Sequence, residues 1–187
     1  MNFPNIPNIL TILRFVLIPV FAGCLSTRHY ITAVIIFLAG GLTDVLDGYI
    51  ARKFNMVTSW GKIADPLADK LMQLTAMVIL SIVLKLVPIE LIAIVLAKEI
   101  FMGIGALILY KQFNYVVSAN WYGKVTTVVF YLAIVMMLFN EPFGRWTVFG
   151  VPFNLLFFIL AVIMALFAFI MYIRAYAKIR QQNENEG

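Results

Sequence analysis

The chain has 187 residues, 63% of them hydrophobic and 12% charged, and its fourteen Lys and Arg outnumber nine Asp and Glu to give a net charge of +5. Its mean hydropathy of +0.97 excludes an ordinary soluble domain and matches a polytopic membrane protein. The basic residues are scattered along the chain, which argues against nucleic acid and for contacts with anionic lipid beside membrane-crossing segments.

No polar stretch is long enough to build a soluble unit. A single integral membrane domain over residues 1–187 is therefore expected, with a polar, fraying tail from about residue 174. No cleavable leader is expected, because M-N-F-P-N-I-P-N has no basic residue ahead of the first apolar run. Cys24 is the one cysteine, which rules out a disulfide or a cysteine metal site within the chain. Cys24 in its apolar run and His29 in a short loop are read as structural.

In chain order, residues 1–8 read as an interfacial lead-in with Pro4 and Pro7, followed by a first apolar helix over Ile9–Leu25. Asn8, Thr11 and Arg14 follow one another at spacings of three, so they drift slowly around one helix face. They are either a cap with a snorkelling arginine or a polar face turned toward a site. A second span is expected over Tyr30–Arg52, then a polar connector Lys53–Trp60, and a third helix over Gly61–Lys85. Val87–Tyr110, Tyr122–Phe139 and Phe153–Ile173 complete six spans, with a turn-rich loop over Asn140–Gly150. Such lengths suffice to cross a hydrocarbon core of roughly 30 Å. The expected fold is an all-α polytopic membrane protein.

If the N-terminus is cytoplasmic, the outer loops carry Arg28, Lys85 and Arg145, while ten of the other basic residues fall on the inner side. Lys98 lies within the fourth span. That imbalance predicts cytoplasmic termini in a cell membrane, with the acidic motif at the cytoplasmic ends of helices 2 and 3.

That motif is the centre of the sequence. Four of the nine acidic residues, Asp44, Asp47, Asp65 and Asp69, fall within 26 positions at the ends of apolar segments, where carboxylates are costly. On a helix Asp44, Asp47, Gly48 and Ala51 share a face, and Gly61, Asp65 and Asp69 share another. A short connector lets the two faces converge. Four uncompensated anions would repel one another, and Arg52 and Lys62 are too few to balance them. Oxygen donors without His or Cys suit Mg²⁺ or Mn²⁺. A pair of such ions is a device for phosphoryl transfer on a pyrophosphate. Gly48, Ala51 and Gly61 leave room for a ligand or a close helix approach, and Asp69 is placed to serve as general base toward an attacking hydroxyl.

The pattern Asp44-x2-Asp47-Gly48-x2-Ala51-Arg52-x8-Gly61-x3-Asp65-x3-Asp69 resembles the full signature of the CDP-alcohol phosphotransferase family. The resemblance implies six transmembrane helices, two divalent cations on the four aspartates, and a CDP-linked donor whose CMP is displaced by an alcohol. It also implies that Gly48, Ala51, Arg52 and Gly61 hold the cytidine diphosphate, that Asp69 is the base, and that the chain forms a homodimer.

Within that family, N-I-P-N-I-L-T-I-L-R, V-T-S-W-G-K and D-P-L-A-D-K-L are similar to segments of bacterial phosphatidylglycerophosphate synthases, which use CDP-diacylglycerol and sn-glycerol 3-phosphate. That likeness adds Asn8 and Thr11 to the donor-binding set and Arg14 to the acceptor-binding set, in which Lys70, Lys98 and Lys124 are the candidate cations for the acceptor phosphate. Two departures bear on the acceptor. Lys98-Glu99 stands where an Arg-Glu pair and a further arginine are usual, and Gly123-Lys124-Val125-Thr126-Thr127 lacks one lysine. Because a phosphomonoester needs cations, the alternative is a cardiolipin synthase of the same family with phosphatidylglycerol as acceptor. A divalent-cation transporter and an intramembrane prenyltransferase also bury carboxylates. The Gly48, Ala51-Arg52 and Gly61 positions speak against the prenyltransferase, and a transporter would hold its carboxylates mid-bilayer rather than at one face.

Overall fold

The computed structural model describes residues 6–53, 61–113, 121–139 and 144–185, and within its helices the side chains of Asn8, Asp44, Asp47, Ala51, Arg52, Gly61 and Lys62 lie outside that description. Six long α-helices make up almost all of it: α1 (Ile6–Ser26), α2 (Tyr30–Lys53), α3 (Gly61–Val78), α4 (Ile89–Phe113), α5 (Trp121–Leu138) and α6 (Phe153–Asn185). Among the described residues, five candidate spans are long and apolar enough to cross a membrane, and α2 is apolar over Tyr30–Thr43, ahead of the motif. The all-α polytopic architecture is the one expected.

Packing divides the chain into two compact units, Met1–Leu86 and Val87–Gly187. In the first, α1 packs against both α2 and α3, and α2 also touches α3. The α1–α2 seam contains Phe21 and Phe37, both fully buried, with ring centroids 5.6 Å apart. In the second, α6 packs against α4 and α5, and Phe130 and Phe158 meet across the α5–α6 seam at 5.6 Å. Many large apolar side chains on the outer faces, such as Val16, Ile35, Phe101 and Ile163, are exposed, as lipid-facing residues must be.

Helix ends follow from local hydrogen bonds. After α1, Arg28 takes φ +63°, the His29 N–H reaches back to the Cys24 carbonyl at 2.8 Å, and the Arg28 N–H reaches Leu25 at 3.0 Å. This is a Schellman close with an arginine in the left-handed position usually held by glycine. α3 runs into a π-helical turn over Ile79–Val83, where the Leu84 N–H donates to Ile79 five residues back, and Lys85 at φ +55° ends it.

Four local expectations change. Asn8 lies inside the first turns of α1, which starts at Ile6, so it does not cap that helix. Lys53 belongs to α2, whereas residues 54–60 of the expected connector lie outside the described residues. The tail does not fray from residue 174: α6 continues to Asn185, through a stretch rich in the helix formers Ala, Lys, Arg, Gln and Glu. Within the turn-rich loop, a short antiparallel hairpin pairs Thr147–Val148 with Val151–Pro152.

Candidate active site

The second half of the aspartate motif opens α3. Asp65, Asp69 and Gln73 recur at spacings of four and so line one face of that helix. Pro66 stands between them without breaking the helix, although it has no N–H to offer the Lys62 carbonyl. Both carboxylates are half-buried. The Thr11 hydroxyl of α1 donates to Oδ1 of Asp65, and Arg14 Nη1 donates to the Asp65 main-chain carbonyl at 3.4 Å. Thr11 is fully buried and Arg14 is 1% exposed. The polar face of α1 is thus turned onto α3. Of the two readings of the Thr11–Arg14 spacing, the site-facing one matches the contacts of those two residues.

Gln73, buried as well, donates from Nε2 to Oδ2 of Asp69 at 3.1 Å. Sequence reasoning passed over Gln73. Its signal was available, since an amide four residues past Asp69 continues the motif face into an otherwise apolar stretch. Thr11 and Gln73 are neutral, so their hydrogen bonds orient the two carboxylates without cancelling their charge.

Arg14 is held by packing at the meeting point of three helices. A Cβ on Gly40 of α2 would lie 3.2 Å from Met72 Cε on α3 and 3.8 Å from Arg14 Cγ on α1. Gly40 therefore sets the close approach of α2 to its two neighbours, one turn before Asp44. Thr43 bonds back to the Gly40 carbonyl at 2.8 Å and leads into the motif.

Asp44, Asp47, Ala51 and Arg52 lie on α2 and Gly61 on α3, with their side chains outside the described residues, while Gly48 on α2 is half-buried. Among the described residues no three metal-ligating side chains gather; the described part of the quartet is Asp65 and Asp69. Lys70 is exposed, on α3 but off the Asp65–Asp69 face. Lys98 and Lys124 belong to the second unit, on α4 and α5. Lys98 forms an ion pair with its neighbour Glu99 at 2.6 Å, and Lys124 is exposed.

A family profile described as CDP-alcohol phosphatidyltransferase matches residues 4–173. Among curated proteins, a CDP-diacylglycerol–glycerol-3-phosphate 3-phosphatidyltransferase of Bacillus subtilis is 34% identical over 155 residues, covering 74% of this chain and 79% of its own length. The protein of the same name from Aquifex aeolicus is 33% identical over 132 residues, covering 70% and 73%. A probable phosphatidylglycerophosphate synthase of Mycobacterium tuberculosis is 35% identical over 144 residues, covering 74% and 66%. With the profile crossing nearly the whole chain and the aspartate signature intact, this membrane protein belongs to the CDP-alcohol phosphatidyltransferase family.

Proposed function

We propose that the chain transfers the phosphatidyl group of CDP-diacylglycerol to sn-glycerol 3-phosphate, forming phosphatidylglycerophosphate and releasing CMP. The observation that carries this reading is 34% identity, over most of both chains, to a relative named for that reaction. In the transfer, an acceptor hydroxyl oxygen bonds to the phosphorus that bears diacylglycerol. The bond from that phosphorus to the oxygen bridging to CMP breaks, and CMP carries away the electron pair. Asp69 takes the hydroxyl proton as general base, oriented by Gln73. Thr11 and Arg14 hold Asp65 in place from α1. Asn8, Gly48, Ala51, Arg52 and Gly61 are assigned to the cytidine diphosphate; Thr11 belonged to the same expected set, and its bond to Asp65 favours a supporting role instead.

The donor set fits two divalent cations, Mg²⁺ or Mn²⁺. Asp65 and Asp69 offer hard oxygens one helical turn apart, and Thr11 and Gln73 leave their charge in place. Asp44 and Asp47 would complete the ligands. Bound there, the cations would supply neutralisation of the pyrophosphate and of the charge developing on CMP.

The phosphate of the acceptor needs cations, and Lys70, Lys98 and Lys124 are assigned to it. Arg14 belonged to the same expected set; its burial and its bond to the Asp65 carbonyl favour a supporting role instead. The excess of basic residues on one side supports cytoplasmic termini and a cytoplasmic site in the cell membrane. The Lys98–Glu99 pair commits one lysine to a carboxylate, which favours a less charged acceptor and keeps phosphatidylglycerol as the second reading.

The deciding experiment supplies labelled CDP-diacylglycerol to the purified, reconstituted protein with glycerol 3-phosphate, phosphatidylglycerol, inositol phosphate or serine, and identifies the lipid product. Phosphatidylglycerophosphate with stoichiometric CMP is expected. Cardiolipin as sole product would install the second reading, and Mg²⁺ flux without CMP release would overturn both.

A further inference from the structure

The hairpin between α5 and α6 is built around an unusual tip. Val148 pairs with Val151, so Phe149 and Gly150 form a two-residue loop, with φ +54° and +77°. Two positive φ values in such a loop make a type I′ turn, for which Asn-Gly is the favoured pair. A phenylalanine is poorly suited to the left-handed region. Its ring also gains nothing from the chain in return, being 100% exposed. Trp146 at the base is 66% exposed and Val148 42% exposed, and Arg145 beside them is exposed too. The base itself is fixed, because the Phe153 N–H donates to the Trp146 carbonyl at 2.7 Å.

A rigid hairpin presenting Trp, Val and Phe with an adjacent Arg to the outside needs an apolar partner beside an anionic one. That combination exists at the boundary between acyl chains and headgroups, where Trp is enriched on both faces of the bilayer and an arginine can reach lipid phosphate. The hairpin is continuous with that boundary. It ends at α6, a span apolar over Phe153–Ala175, and follows α5, a span over Trp121–Leu138. Phe153 lies four positions after Phe149, a reach of at most about 14 Å. The headgroup layer lies within that reach. We infer that the Trp146–Phe149 hairpin inserts into the headgroup–acyl boundary of the bilayer that α5 and α6 cross, with the Phe149 ring among the upper acyl carbons and Arg145 at lipid phosphate.

The test keeps Trp146 as the single tryptophan, in a Trp60→Phe, Trp121→Phe chain reconstituted into phosphatidylcholine–phosphatidylglycerol vesicles. Lipids brominated near the headgroup end of the acyl chain should reduce Trp146 emission at least twofold. Lipids brominated near the chain end should quench less, and iodide should quench weakly. Phe149→Asn supplies the control for a purely structural role. Asn suits the left-handed position better, so the thermal midpoint in detergent should hold or rise, while quenching by the shallow bromines should fall by about half. Strong iodide quenching without bromine quenching would place the hairpin in water and overturn the inference. Shielding from both quenchers would show protein, such as a second copy, over the tip and would overturn it equally. Unchanged bromine quenching in the Phe149→Asn chain would remove Phe149 from the anchor and overturn it as stated.

Discussion

The two units solve helix packing in different ways. In the first, the seam between α1 and α3 runs through polar groups: Thr11 and Arg14 are buried and both bond to Asp65. In the second, α5 and α6 meet through Phe130 and Phe158, and the buried Thr126 spends its shorter bond, 2.8 Å, on its own helix at Tyr122. Its reach across to the Met164 carbonyl is 3.4 Å. Inside a bilayer apolar contact between helices has no hydrophobic driving force, so shape and polar bonds do the holding. The first unit uses those bonds to aim carboxylates. The second relies chiefly on shape at its Phe130–Phe158 contact, with the Thr126 hydroxyl reaching across to one main-chain carbonyl rather than to a carboxylate.

The comparison breaks if the carboxylates of the first unit prove dispensable. Asp69→Asn should lower turnover by about 10³-fold while the protein still extracts and elutes normally, as loss of a general base and an anionic ligand demands; near-normal CMP release would remove Asp69 from that role. Chelation with EDTA should silence the wild-type protein, and added Mg²⁺ or Mn²⁺ should restore it. Activity that survives chelation would defeat the proposed use of cations.

Two substitutions compare the seams directly. Arg14→Met removes a buried charged donor and should destabilise the first unit by about 2 kcal/mol, read as a lower unfolding midpoint in detergent. Thr126→Val in the second seam should cost well under ~1 kcal/mol, since the hydroxyl mainly serves its own helix. Equal losses would mean that the polar seam is not special. Thr11→Val should reduce kcat about tenfold and weaken Mn²⁺ binding measured by calorimetry, with Thr11→Ser restoring both; a structural role alone would not respond to the hydroxyl. The smallest effect is expected at Gly40→Ala. The intruding Cβ meets the methyl end of Met72, a flexible thioether that can move by a few tenths of an ångström. A twofold loss of activity or less is expected, and inactivation would show that α2 cannot shift at all.

Much of this was legible beforehand. Apolar runs of spanning length located the helices, and the spacing of Asp44, Asp47, Asp65 and Asp69 identified the family. The spacing of Thr11 and Arg14 exposed a polar face but not its target. Which helix a face meets depends on side chains such as Gly40 and Met72 that carry no chemical signature of their own. Asp65, Asp69 and Gln73 made a visible series whose last member went unread because glutamine also serves as a routine helix former. The hairpin was hidden for a different reason. Phe-Gly is not a pair that announces a type I′ turn, so the segment showed only its Pro and Gly. The π-helical turn over Ile79–Val83 left no trace in composition, because its residues would continue an α-helix equally well.

The bonds from Thr11 and Arg14 to Asp65 also have a bearing on how the protein is made. Thr11 and Arg14 precede Asp65 by 54 and 51 residues, so both donors leave the ribosome before the carboxylate does. Insertion of α3, whose first turns carry two aspartates and a proline, would then meet donors already present on α1. A chain whose first helix is replaced by a generic apolar span would be expected to hesitate at that step, and newly made protein would expose α3 to membrane proteases. In that order of synthesis, Thr11 and Arg14 would offer α3 its first polar partners inside the membrane.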